Sequence, residues 1–271
     1  MSSGNSDFVR IATAVFACLL PVSMLQAAGV MAQPANLYLS AERGSIVRSE
    51  ITLSPTSGDT AVSIALAPFT IDERGQPRSC QCRMDRTLAG WGDVSTHGVS
   101  LTAGRRQSVT LELTVPASAE GSYWGVVLVE IEQTEVRSRL AIPVFLTVRG
   151  TEAPAVRLRE LKAFRTKPNE IVVTGTVFDE GNTIVHSAPL FVVEEGSASA
   201  PVELASREDG VLTILPDGRR AFRLTINGDF PDPDVLRVTA WLRSGGKGGG
   251  TEAACRVSAS PGCDGAGCHG A

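Results

Sequence analysis

The stretch Ser108-Val109-Thr110-Leu111-Glu112-Leu113-Thr114-Val115 alternates polar and apolar residues at every step. Side chains on a strand point to opposite faces in turn, so a period of two predicts a strand with one face in a core and the other in water. The same pattern extends outward in both directions. Toward the N-terminus, Val47, Ser49, Ile51 and Leu53 alternate with Arg48, Glu50 and Thr52, and Val62, Ile64 and Leu66 alternate with Ser63 and Ala65. Toward the C-terminus, Tyr123 to Ile131 is apolar on both faces, as suits a strand in the middle of a sheet. Leu140, Ile142, Val144, Leu146 and Val148 then form one apolar face, opposed by Arg139, Thr147 and Arg149. Turn signals separate these runs at Ser57-Gly58-Asp59, Arg74-Gly75, Ala103-Gly104 and Glu120-Gly121.

A second set of short strands follows the aperiodic stretch Arg149-Gly150-Thr151-Glu152-Ala153-Pro154, which reads as an interdomain linker. Its apolar positions are Val156 and Leu158, then Ile171, Val173 and Val177, Leu190 to Val193, Val211 to Leu215, Phe222 to Ile226 and Leu236 to Leu242. No window supports a long amphipathic helix. Short strands between Gly and Pro turns predict an all-β chain of two tandem immunoglobulin-like β-sandwiches, at 33–150 and 151–243. After Arg243, the run Ser244-Gly245-Gly246-Lys247-Gly248-Gly249-Gly250 and the small, polar, cysteine-containing residues beyond it predict a disordered Gly/Cys-rich tail over 244–271. Hydrophobic residues are 43% of the 271, enough to bury a core and so to exclude wholesale disorder. The formal net charge of −4 gives no electrostatic case for nucleic acid.

The N-terminus points to export. A polar start and Arg10 precede an apolar run from Ile11 to Leu25, interrupted by Pro21 and short for a bilayer span. Val30-Met31-Ala32 fits a small-x-small cleavage pattern before Gln33, and Leu25-Gln26-Ala27 is a second match. The reading is a signal peptide over 1–32 and a periplasmic or secreted chain, with no membrane span in its mature part. A lipid anchor on Cys18 would need a small residue where Phe16 stands. After cleavage five cysteines remain: Cys80, Cys82, Cys255, Cys263 and Cys268. An exported chain permits disulfides among them, and an odd number leaves one over.

The first domain resembles the N-terminal domain of periplasmic pilus-assembly chaperones, the PapD-like family. The resemblance runs through Ser49-Glu50-Ile51-Thr52-Leu53, Val99 to Gly104, Ser108 to Val115, Tyr123 to Ile131 and Arg139-Leu140-Ala141-Ile142-Pro143-Val144-Phe145. With the second sandwich it covers Ala35 to Leu242. It implies an exported chaperone or assembly factor for fimbrial subunits, or for another envelope protein, acting by edge-strand pairing. Leu140, Ile142, Val144 and Leu146 are the residues such a strand would offer; the same alternation also serves a domain's own core. Pro143 removes one ladder donor, which marks an edge or a bulge. The family holds a subunit's C-terminal carboxylate with a basic pair. Arg43 is the candidate for the first member. No Lys lies between Gln133 and Arg149, which leaves Arg139 for the second. The alternative is an immunoglobulin-like envelope module that binds partners or acts as a spacer, without chaperone activity.

No enzymatic or cofactor role is expected. Cys80-Gln81-Cys82 supplies two ligands where zinc wants four. Cys263-Asp264-Gly265-Ala266-Gly267-Cys268-His269 is a lengthened form of a haem-attachment motif, in a glycine-rich setting without an apolar pocket. His97 and His186 are isolated, and the acidic pairs Asp72-Glu73, Glu194-Glu195 and Asp232-Pro233-Asp234 lie at turns. Neither His-Glu-x-x-His nor Gly-x-Ser-x-Gly occurs. Tyr123 and Trp124 are expected in the core, and Trp91, between Gly90 and Gly92, on the surface.

Overall fold

The computed structural model describes residues 25–27, 29–79, 85–132, 137–195, 202–208, 210–232, 235–243, 250–258 and 269–270. Among them there is no α-helix. The strands of the first domain, in chain order, are β1 (Leu25–Ala27), β2 (Val30–Gln33), β3 (Leu37–Ala41), β4 (Ile46–Pro55), β5 (Thr60–Ala67), β6 (Phe69–Ile71), β7 (Pro77–Ser79), β8 (Gly92–Val94), β9 (Gly98–Leu101), β10 (Gln107–Thr114), β11 (Ser122–Glu132) and β12 (Arg137–Val148). One five-stranded sheet runs β1-β2-β4-β10-β8 and the other β3-β12-β11-β5-β9. The chain crosses between them after β2, at the cis Gln33–Pro34 bond. Val109, Leu111 and Leu113 from the first sheet and Val127, Val129 and Ile142 from the second are wholly buried in one cluster. The alternation seen in the sequence is thus the pleat of two sheets closing on a shared core.

The second domain holds β13 (Val156–Lys167), β14 (Glu170–Asp179), β15 (Val185–Ser187), β16 (Leu190–Glu195), β17 (Val202–Glu208), β18 (Leu212–Ile214), β19 (Arg219–Asn227), β20 (Leu236–Arg243), β21 (Gly250–Ser258) and β22 (His269–Gly270). Strands β13-β14-β19 form one antiparallel ladder and β17-β16-β20-β21 another. A short parallel pairing, Ala163↔Val257 and Phe164↔Ser258, joins them. At the far ends Arg207 on β17 donates to the Thr225 carbonyl on β19. Phe191, Val193, Val238, Ala240 and Leu242 fill the core between the ladders. The architecture is two tandem immunoglobulin-like sandwiches.

Two boundaries move. Gly250–Ser258 lies within the stretch expected to be a disordered tail. It pairs with β20 from Gly250 to Arg256, runs beside β13 at Val257 and Ser258, and buries Ala253, Cys255 and Val257 in the second core. These small apolar residues alternate with Glu252, Ala254 and Arg256, a strand pattern that glycine-rich surroundings concealed. At the other end, β2 lies within the expected signal peptide. It pairs with β4 from Val30↔Pro55 to Gln33↔Thr52, and Val30 and Ala32 are wholly buried.

Candidate functional site

Strand β12 is built like a central strand over one half and an edge over the other. It pairs with β11 along its full length, from Ser122↔Thr147 to Glu132↔Arg137. On its other side β3 pairs with it in parallel, from Val144↔Leu37 to Val148↔Ala41. Over Arg137–Pro143 no strand among the described residues pairs with that outer side. Pro143 stands where the open half meets the paired half, as a residue without an N–H should. The open half carries alternate backbone N–H and C=O groups directed away from β11, the template that an added strand needs.

The side chains divide by face. Leu140, Ile142, Val144 and Leu146, expected to meet a partner, are at most 2% exposed and belong to the core of their own domain. Sequence alternation gives the period of a strand but not which face meets a partner. The opposite face carries Ala141 and, across the pair, Leu128, both half-buried. The two candidate anchors are not brought together. Arg43 bonds to Glu120 (2.5 Å) and to the Ala119 carbonyl (2.9 Å), near the Ser122 end of β11. Arg139 pairs with Glu130 (2.7 Å), toward the other end. At about 3.3 Å per residue, the strand separates them by about 25 Å.

The outward face of β11 and β12 leads into a joint between the domains. Phe69, Trp124, Val126 and Phe145 from the first domain pack with Ile184 and Leu215 from the second. The Trp124 indole N–H donates to the Phe69 carbonyl (2.9 Å), and its packing with Ile184 and Leu215 buries the ring between the domains rather than inside one. Trp91, expected on the surface, is half-buried with its ring against Tyr123 (4.1 Å between centroids). Tyr38, 62% exposed, stacks on Phe145 at 5.4 Å and meets the edge of His186 at 5.0 Å. Burial pushes the His186 imidazole below its ordinary value, and Nδ1 lies 3.0 Å from the Thr213 hydroxyl.

Backbone hydrogen bonds lock the same joint. The Ser122 N–H donates to the Asn182 carbonyl (2.7 Å), and the Ile184 N–H to the Ser122 hydroxyl (3.0 Å). Gly121, at φ +72°, would set a β-carbon 2.1 Å from the Asn182 carbonyl, so only glycine permits this approach. On the far side of the joint, the Ala221 N–H donates to the Glu73 carbonyl (3.0 Å) and Arg219 pairs with the Glu73 carboxylate. Asp179 ends β14 just before this docking loop and is 2% exposed. Its Oδ1 accepts from the Gly181 N–H (2.9 Å), while Oδ2 has no partner. Burial raises its pKa from 3.8 to about 6; the Gly181 and Ala155 N–H groups and Arg86 pull down, and Asp217 pushes up.

No group of three or more His, Cys, Asp or Glu positioned for a metal occurs among the described residues. His97 faces Asp93 (3.1 Å) at the surface. Asp72 is held below the usual carboxylate range, first by the Gln76 N–H and also by Arg78. Cys80, Cys82, Cys263 and Cys268 lie outside the described residues, and Cys255 is buried on β21.

No family model matches the chain, and no curated protein matches its sequence. Solved structures do resemble it. The class 5 fimbriae chaperone CfaA is 16% identical at a TM-score of 0.46, over 82% of this chain and 97% of that one. The chaperone CsuC, in its pre-assembly complex with CsuE from archaic chaperone-usher Csu pili of Acinetobacter baumannii, is 14% identical at 0.41, over 72% and 90%. The periplasmic chaperone SfaE is 10% identical at 0.39, over 83% and 98%.

Proposed function

We propose that this chain is an exported assembly factor that captures an extended segment of a fibre subunit, or of another envelope protein, on the open edge of β12. The observation that carries the reading is the unpaired outer side of Arg137–Pro143 in a strand otherwise paired on both sides. A strand laid there would gain main-chain hydrogen bonds, and its alternate side chains would meet the half-buried Ala141 and Leu128 face beside the joint. The joint matters because it fixes the second domain next to that face. Capture would rest on backbone pairing and on apolar side chains brought by the partner, since Leu140, Ile142, Val144 and Leu146 are committed to the core. That commitment, with Arg43 and Arg139 already paired and far apart, favours the second reading, an envelope-binding or structural module without chaperone activity.

The deciding experiment is affinity purification of the tagged protein from its native envelope, with mass spectrometry of co-purifying chains. Ala141→Lys places a charge beside the open edge, a known way of blocking edge pairing. Glu50→Lys, on the exposed face of β4, is the control. A stoichiometric partner lost only with Ala141→Lys supports capture on β12. A folded protein recovered alone supports the module without chaperone activity.

A further inference from the structure

We infer that the export peptidase cuts this chain between Ala27 and Ala28, and that β2 stays as part of the mature core. The inference rests on the export reading above. Two peptide bonds fit the cleavage pattern in sequence, after Ala27 and after Ala32, and the fold separates them. Just before β2, the Gly29 carbonyl accepts from the Thr56 N–H (2.8 Å). Strand β2 then pairs with β4 at all four of its positions, and Val30 and Ala32 reach the core with no exposed surface. A cut after Ala32 would remove this strand, uncover Ile51 and Leu53 on β4, and leave a charged amino terminus at Gln33, opposite Thr52.

A cut after Ala27 spares all of this. Strand β1 ends at Ala27, whose register partner is Val30, so all of β2 lies beyond that bond. Water adds across the amide: Ala27 leaves with a new carboxylate on the leader, and Ala28 gains the new ammonium. Strand β1 departs with the leader. It pairs with β2 and also comes close to β12, so the cut removes a neighbour of the strand assigned to partner capture.

The full chain, with its own leader and a C-terminal tag, is expressed in a Gram-negative host. Its exported form is then analysed by intact mass and N-terminal sequencing. The inference predicts a start at Ala28, and an Ala27→Arg chain that fails to be processed there. A start at Gln33, unchanged by Ala27→Arg, overturns the inference and leaves export standing. An uncleaved chain retained in the cytoplasm overturns export itself. As a second readout, a chain begun at Gln33 should show an unfolding equilibrium constant raised at least ~10-fold over one begun at Ala28, from loss of a fully buried Val and its strand. Equal stability of the two would contradict the assignment of β2 to the core.

Discussion

Asp179→Asn should stabilise this protein at neutral pH and do nothing at acid pH. The carboxyl is buried behind the loop that docks the second domain on the first, and Oδ2 has no partner. Its pKa rises from 3.8 to about 6. Each unit is worth about 1.36 kcal/mol, so ionising the buried group costs the fold about 3 kcal/mol at pH 7.5. The native state binds the proton more tightly than the unfolded chain does, so between pH 4 and 6 the folded protein holds more protons. Stability therefore falls as pH rises through that window and levels off above it. Asparagine keeps an oxygen for the Gly181 N–H and carries no charge. Thermal or urea unfolding at pH 4, 5, 6 and 7.5 measures the difference. The expectation is a gain of about 2–3 kcal/mol at pH 7.5, or several degrees in Tm, shrinking to near zero at pH 4. A constant offset across the range, or a loss at pH 7.5, would show that the buried charge of Asp179 does not set this stability.

Other predictions concern the joint and the last strand. Trp124→Ala removes the largest ring of the interdomain cluster and its bond to the Phe69 carbonyl; a loss of about 3–5 kcal/mol is expected in chemical unfolding, with faster proteolysis near Gly121. Gly121→Ala pushes a methyl group into the Asn182 carbonyl, so small-angle scattering should show the domains opening while the β-sheet circular dichroism holds. Val257→Asp puts a carboxylate into the second core and should abolish cooperative unfolding of that domain, which a disordered tail would not do.

Much of this architecture was legible in period-two alternation. Val109, Leu111 and Leu113 read as an inward face and are one. The second domain followed from Ile171, Val173, Phe222, Leu224 and Ile226 in the same way. Alternation failed where both faces of a strand are apolar. On β12 the inward set meets the first core, while Phe145 on the other face meets the second domain, and local sequence does not rank them. Composition misled at Ala253, Cys255 and Val257, because glycine and small residues dominate that region. The joint was not legible: Phe69, Trp124, Ile184 and Leu215 come from four separate segments and meet only in the fold. The open half of β12 was signalled only by Pro143.

The most direct test of strand capture is hydrogen–deuterium exchange of the protein purified from its native envelope, with its co-purifying chain and after that chain is stripped away. Capture on β12 predicts fast exchange of the alternate, outward-directed amides within Arg137–Ile142 in the stripped protein and strong protection of them in the complex, with the amides bonded between β11 and β12 unchanged. A stoichiometric complex in which those amides stay unprotected, and protection falls elsewhere, would contradict capture on β12.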